Sequence, residues 1–503
     1  MESFDIVLVS PPSRMINHYR PPVGLMYVAG YLQKQGMSVK IIDVPMKKVV
    51  RNKKFYLNLD TELKKIENLM VDEFRKIETK AAGIAFYTPE YFEVFDLARA
   101  FKKVNPGVKI IVGGIHPTFY PEEILKDCSN LIDFCVRGDG EITTHELLKA
   151  FNDNKHNYET IPGIAFLDKK TNQVIKTEMR QLCKNLDEVS FPAYNLIDMD
   201  YYTNASPYAI RGCFLRSMYI LATRGCPSQC TFCVAKKIRS HFGAGTYCRW
   251  RSAESLINEV RDLKDNYGID SFWFVDDLFN LNKKLVFDFC DGLKKQGISL
   301  LWGCSSKVSA FDEEIIKRMA DAGCIQIDFG VERGSDQALR LVKKDITVEK
   351  IINVFSLCHK YNVRTFANFL VNLPEETEED LDDVIKLVKI LKSEIVSFNI
   401  FTPYPGTEIY DSSPHQFTKN EYGILTHATD FLYTQPEKFK FAKHNVNLLE
   451  WGQKNHKRYN PVLKNVLFHL SRKYVNVLIN SKHKLNYLKQ LGLVIREFIN
   501  QKF

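Results

Sequence analysis

Twelve cysteines occur in 503 residues, and only Cys226, Cys230 and Cys233 cluster. Thiolates at this CxxxCxxC spacing can hold three irons of a 4Fe–4S cubane and leave the fourth iron open to a ligand. Structural zinc is the alternative, but it wants four nitrogen or sulfur ligands. No second cysteine pair exists to supply them, and His241 or Cys248 would complete such a set only if folding happened to bring them in. Cys128, Cys135, Cys183, Cys213, Cys248, Cys290, Cys304, Cys324 and Cys358 stand singly and read as small buried hydrophobes. In a chain of this length they are no disulfide framework.

Two series of alternating strands and helices must position these residues. The later one starts with a strand over Tyr219–Thr223, directly before the cysteines, and continues with Ser271–Val275, Leu300–Cys304, Ile325–Gly330, Arg364–Leu370 and Ile395–Phe401. Helices such as Ala253–Tyr267, Lys283–Gln296 and Glu378–Leu391 separate them. This predicts a parallel, partial (β/α)6 barrel of the TIM type, with chemistry at the C-terminal strand ends. In the first ~150 residues, β-branched runs (Asp5–Ser10, Val39–Val44, Ala82–Tyr87, Lys109–Gly113, Asp133–Arg137) alternate with helical patterns over Gly24–Gln35, Leu63–Glu78 and Tyr91–Val104. That pattern predicts an α/β, doubly wound, Rossmann-like sheet whose ligand lies beyond the carboxyl ends of its strands. The expected division is 1–152 for this domain, 153–212 for a β-containing connector, 213–440 for the barrel and 441–503 for a helical C-terminal region.

With the aromatic Phe232 before its last cysteine, and its place after the first barrel strand, the cysteine motif resembles that of the radical S-adenosylmethionine (SAM) superfamily. The resemblance implies that the open iron chelates SAM, and that reduction of the cluster yields a 5′-deoxyadenosyl radical. Asp276 and Asp277 match the second strand end, where the family keeps polar groups for the SAM ammonium; a helix N-cap is the rival role. Gly330-Val-Glu332-Arg-Gly-Ser335 is similar to a family segment whose glutamate accepts from the ribose, which implies that role for Glu332; an ion pair with Arg333 or Lys307 is the rival. Asn372-Leu-Pro-Glu-Glu-Thr377 resembles a further SAM-contacting stretch, with Asn372 and Glu375 in place of two glycines. Phe401-Thr-Pro-Tyr-Pro-Gly-Thr407 matches a stretch near adenine and reads equally as a plain turn.

A doubly wound domain ahead of such a barrel resembles the cobalamin-binding subgroup. The positions this implies for cobalamin are Pro12, Gly24, Asp43, Thr88, Gly113, Gly114, His116, Gly138 and Glu141. Glycines there let backbone approach a large planar ligand. No D-x-H-x-x-G loop is present, and His116, followed by Pro117, reads as a turn residue making no cobalt bond. A domain that no longer binds cobalamin is the other reading.

The net charge of +9 is uneven: from Gly452 onward, eleven Lys or Arg face the single acid Glu497, and the rest is near neutral. Lys454–Arg458, Arg472-Lys473 and Lys482–Lys489 alternate with apolar stripes (Val462, Val466, Leu467, Leu470), giving either a helical cap with a solvated basic face or a contact with an anionic partner such as a membrane surface. Nucleic acid is not expected. No run reaches the ~18 apolar residues of a membrane span and no signal peptide is seen at the N-terminus, so a cytoplasmic protein is expected. The resemblances imply a cobalamin-dependent radical SAM methyltransferase acting on an unactivated carbon of a small-molecule or lipid-like substrate, reduced by a flavodoxin or ferredoxin. The rivals are a cyclase, oxidase or rearrangement enzyme of the same subgroup, a tRNA methylthiotransferase (whose additional cysteines and RNA module are not seen), and a non-catalytic iron–sulfur protein.

Overall fold

The fold is that of a computed structural model, which describes residues 1–12, 20–46, 59–153, 157–204, 209–242, 247–413, 415–425, 440–460, 471–481, 483–485, 487 and 492. The N-terminal unit contains β1 (Glu2–Ser10), α1 (Val23–Lys34), β2 (Val39–Asp43), α2 (Leu59–Phe74), β3 (Ile77–Ala85), α3 (Tyr91–Val104), β4 (Lys109–Gly113), α4 (Ile115–Phe119), α5 (Pro121–Asp127), β5 (Phe134–Val136), α6 (Glu141–Asn152), β6 (Ile164–Asp168) and β7 (Gln173–Lys176). Their order in one sheet is β2-β1-β3-β4-β5-β6-β7, parallel through β5 and antiparallel beyond it. Central strands carry side chains that are buried on both faces, such as Ile6, Val7, Leu8 and Val9, which is why they read as continuous apolar runs. β3 starts five residues earlier than its apolar run: Ile77 and Thr79 are buried while Glu78 and Lys80 are exposed, a half-solvated alternation. The helix expected up to Glu78 therefore ends at Phe74.

After α7 (Met199–Thr203), the second unit runs β8 (Ser217–Ile220), β9 (Thr223–Arg224), α8 (Ala235–Phe242), β10 (Arg249–Trp250), α9 (Ala253–Tyr267), β11 (Ser271–Phe274), α10 (Lys283–Lys295), β12 (Leu301–Ser306), α11 (Glu313–Asp321), β13 (Cys324–Glu332), α12 (Asp336–Leu341), α13 (Val348–Lys360), β14 (Arg364–Val371), α14 (Glu378–Leu391) and β15 (Ile395–Ile400). Six parallel strands line up as β8-β11-β12-β13-β14-β15, without β8 pairing to β15, so the barrel is open on one side. Local chemistry sets the helix limits: the Ser252 side chain caps α9, Gly268 ends it at φ +62°, and Thr377 and Asp380 form a capping box on α14. The helix-facing core is aromatic, with Phe272, Phe274, Phe289 and Trp302 fully buried in mutual contact.

Past α15 (Glu408–Asp411), the chain returns to the N-terminal unit, where Tyr422 and Leu425 join its core and Lys419 pairs with Asp127 at 2.6 Å. α16 (Leu448–Tyr459) packs on β15, with Trp451 5.0 Å from the Phe398 ring and Asn460 hydrogen-bonded twice to Val396. α17 (Arg472–Asn480) closes the barrel floor: Tyr474 Oη donates to the Phe214 carbonyl and Tyr487 Oη accepts from the Arg216 amide. Val462, Val466, Leu467 and Leu470 lie outside the described residues, as do the side chains of Arg472 and Lys473 and all of Lys482 and Lys489. No helix among the described residues is long and apolar enough to cross a membrane.

Candidate active site

The loop that carries the cysteines is an excursion between two short strands. β9 and β10 form an antiparallel ribbon, pairing Arg249 with Arg224 and Trp250 with Thr223, so residues 225–248 leave and return at one point of the barrel rim. Gly225 makes this closure feasible: its φ is +101°, and a Cβ there would lie 2.5 Å from the Tyr247 carbonyl oxygen. Arg239, buried, donates to the Cys226 carbonyl at 3.5 Å and also to that of Pro227, fixing the loop backbone. Neither the ribbon nor this arginine clamp has a sequence signal beyond a few residues.

Cys226, Cys230, Phe232 and Cys233 line a cavity of about 400 Å³ at the C-terminal strand ends, together with Asp277, Lys307, Glu332 and Lys344. All three thiols are free. Burial pushes the Cys230 thiol up, opposed by the Lys344 charge, and pushes Cys233 up to about 12. Among the described residues no three His, Cys, Asp or Glu side chains converge closely enough to hold one metal ion. A cubane takes its three sulfurs on three separate irons, which is the donor set that these three thiols offer.

Glu332 reaches the cavity through a backbone irregularity. The β13–β14 register shifts between Gly330 and Glu332, and Glu332 has φ +68°. Its carboxylate accepts from Lys344 Nζ at 2.8 Å, above Gly330, where any Cβ would come within 2.4 Å of Glu332 Oε1. Lys344 was not singled out in the sequence; nothing marks it except its place just after α12. Arg333 turns away, bound to Glu376, and Lys307 lies 3.8 Å from Asp345, so the partner of Glu332 is neither of the two expected rivals. Asp277 lines the cavity, but Asp276 turns into the protein. Its Oδ1 accepts from the Ala222 and Thr223 amides, its Oδ2 is buried without a hydrogen-bond partner among the described residues, and burial raises the carboxyl to about 7. Asn372 also lies off the cavity, accepting from the Phe441 and Ala442 amides. Asn372 and Glu375 have φ of +69° and +67°, so the backbone keeps the left-handed conformation that suits glycine despite the side chains.

The candidate cobalamin positions fall into two groups. Gly24 has open space where a side chain would project, a Cβ at Gly113 would make only ordinary contact with Val136 at 3.9 Å, and Tyr87, just past β3, is 64% exposed within electrostatic reach of Arg20 and Asp277, which line the cysteine cavity. These features leave a face for a large flat ligand next to the cavity. The second group is engaged by protein. Glu141 pairs with Arg224 at 2.6 Å, and Asp139 pairs with Arg224 and Arg249, so the Gly138–Glu141 segment braces the strand that leads into the cysteines. Asp43 accepts from Tyr202 Oη, Gly114 lies against the Phe86 carbonyl, and Pro12 is buried. His116 is enclosed by Phe86, Tyr91, Tyr120 and Tyr422, with Nδ1 3.0 Å from Thr88 Oγ1, and burial lowers its pKa. The donor set therefore suits a ligand held without a histidine–cobalt bond.

Comparison with known proteins gives two family matches: the radical SAM superfamily over residues 220–388 and a B12 binding domain over residues 15–148. A protein of Pyrococcus horikoshii named as an uncharacterised methyltransferase, PH0819, is 32% identical over 420 residues, which is 82% of this chain and 83% of that one. The cytidylyl-2-hydroxyethylphosphonate methyltransferase of Streptomyces wedmorensis is 25% identical over 448 residues, 80% of each chain. An anaerobic magnesium-protoporphyrin IX monomethyl ester cyclase of Cereibacter sphaeroides is 24% identical over 455 residues, 89% of this chain and 68% of that one. Among solved structures, the radical SAM methyltransferase TsrM from Kitasatospora setae, with cobalamin and a 4Fe–4S cluster bound, superposes with a TM-score of 0.63 at 18% identity, covering 81% of this chain and 77% of its own. At that identity the likeness concerns the fold.

Proposed function

Because this chain belongs to the radical SAM superfamily and carries a B12 binding domain, we propose that it transfers a methyl group from SAM to an unactivated carbon of a small-molecule substrate. The family implies a 4Fe–4S cluster, SAM and cobalamin, which when bound would supply the reducing electron, the source of radical and methyl group, and the methyl carrier. The chain's own residues bind and orient. Cys226, Cys230 and Cys233 would hold the cluster, Glu332 and Lys344 would meet the polar groups of SAM, and Asp277 would face its ammonium. Phe232 contributes an apolar wall with Leu373 and Phe401. The observation that carries the reading is one cavity that gathers three free thiols, the Glu332–Lys344 pair and Arg20 of the N-terminal unit.

The same reading puts cobalamin over Gly24, Gly113 and Tyr87, and takes 1–152, 153–212, 213–440 and 441–503 as the working division of the chain, with β6 and β7 of the second segment extending the N-terminal sheet. A small flavodoxin- or ferredoxin-like donor in the cytoplasm would reduce the cluster; peripheral contact of the basic tail with an anionic membrane is a further part of the proposal. The test is a mass balance. Reduced, fully loaded protein incubated with methyl-deuterated SAM and a metabolite extract should form a product heavier by the label. S-adenosylhomocysteine and 5′-deoxyadenosine should rise together at about 1:1, since one SAM gives the methyl and another the radical. A product without label, formed with 5′-deoxyadenosine alone, would replace this reading with the cyclase or oxidase chemistry of the same family.

A further inference from the structure

The two ends of the cavity differ in charge balance. At the cysteine end, Glu332 and Lys344 neutralise each other at 2.8 Å. The other end lies toward the start of β14 and is more open to solvent: Arg20 is exposed, whereas the Glu332 and Lys344 side chains are largely covered. There Arg211, from the segment before β8, lies 4.5 Å over the Phe366 ring with its Nε 3.6 Å from Asp328 Oδ2. Arg20, from the loop after β1, lies 5.7 Å from the centroid of Tyr219. Among the described residues, Asp328 is the one carboxylate paired with either guanidinium, and its other oxygen already accepts from Gln326 at 2.9 Å. Gln326 is fixed in turn by buried Arg364 at 2.9 Å. The Tyr219 hydroxyl is buried beside the Arg20 guanidinium, and none of the described residues accepts its proton in a hydrogen bond. Burial foremost, and then the Arg20 charge, act against the charged form of Arg211, with Asp328 opposing them. Two guanidinium groups beside one half-engaged carboxylate leave positive charge that a second anion would neutralise through charge-assisted hydrogen bonds.

We propose that this end binds an oxyanionic group of the substrate, phosphate or carboxylate, between Arg20 and Arg211 with the Tyr219 hydroxyl as a further donor. The substrate class is then an anionic metabolite, and a neutral lipid is disfavoured. The inference rests on the proposed function, since it takes this cavity as the place where substrate meets the radical, but its test needs no turnover. Protein loaded with cluster and saturated with SAM is titrated calorimetrically with inorganic phosphate and, separately, with succinate. One of the two should bind saturably at one site; phosphate preference identifies a phosphorylated substrate and succinate preference a carboxylate. Arg20→Gln and Arg211→Gln, compared at equal iron content, should each weaken that binding tenfold or more. Asp328→Asn, which removes the competing anion, should tighten it severalfold and serves as the check if an arginine variant does not fold. No saturable binding of either oxyanion, or affinity unchanged in the variants that fold, overturns the proposal. Failure of the wild type to cleave SAM would instead remove the proposed function and leave the anion titration readable.

Discussion

At the C-terminal ends of the barrel strands, Cys226, Cys230 and Cys233 face a cavity as free thiols, with Glu332 held ready by one lysine. At the same topological place on the N-terminal sheet, Asp139 and Glu141 are bound to Arg224 and Arg249, and His116 is packed in aromatic rings. Both regions are rich in residues that could do chemistry. The difference is that the second group is occupied in joining the units, and the arginines that occupy it flank the cysteine loop itself. Strand ends of one α/β unit can thus act as scaffold for the chemistry of another, and the polar residues alone do not tell which role they have.

The largest expected effect separates the two regions outright. Cys226→Ala, Cys230→Ala or Cys233→Ala should each reduce cluster iron and 5′-deoxyadenosine formation to background in anaerobically reconstituted protein, while Cys128→Ala and Cys358→Ala should retain both; full iron in a triple variant would end the assignment. Next comes the seam between the units. Arg251 and Glu259 form a fully buried pair in contact with Tyr194 and with Tyr27 of α1. Glu259→Gln leaves Arg251 uncompensated and should cost about 3–5 kcal/mol in denaturant melts.

A smaller effect is expected at the brace. Glu141→Gln removes the closer of the two carboxylates paired with Arg224 and should slow SAM cleavage about tenfold at unchanged iron content, an effect about 1.4 kcal/mol in size. A wild-type rate would show that the brace does not position the cysteine loop.

Asp276 allows a finer test through pH. Burial holds its carboxyl at about 7, against the amide hydrogen bonds of Ala222 and Thr223. The folded state thus keeps a proton that the unfolded chain releases above about pH 4. Its stability contribution is complete below that pH, falls as pH rises from about 4 to 7 by up to about 1.4 kcal/mol per unit, and is flat beyond. Melts of Asp276→Asn against wild type across this range should differ by that slope; parallel curves would mean that the carboxyl titrates normally. The smallest expected change is in His116→Ala, which should keep its cobalamin through desalting because Nδ1 is engaged by Thr88. Loss of the cobalamin spectrum in that variant alone would show a cobalt bond.

What could be read from the sequence was local. Three cysteines within eight residues declare their chemistry without help from the fold, and α3, α9 and α14 begin and end where their periodicity and flanking residues say. β3 was misjudged because its first half alternates and its second half does not. The roles of Glu141, Asp139 and Asp43 depend on Arg224, Arg249 and Tyr202, which lie 83, 110 and 159 residues away. No pattern in one sequence connects positions so far apart. Asp276 and Asn372 matched family positions by type, but backbone amides claim both side chains. Lys344 escaped because a lysine after a short helix is ordinary until Glu332 bends back to meet it.

The floor of the barrel has a consequence for how the molecule is assembled. Arg216, at the threshold of the first barrel strand, gives its amide hydrogen to a tyrosine 271 residues further on, and Tyr474 reaches back 260 residues to Phe214. During synthesis the six strands must wait, at one end, for a segment made only after all of them. Closing so large a loop is slow because the ordering entropy precedes the reward. The nascent barrel therefore passes through a stage with its bottom open and its apolar lining in water, which makes this the step at which a chaperone would be most useful and aggregation most probable.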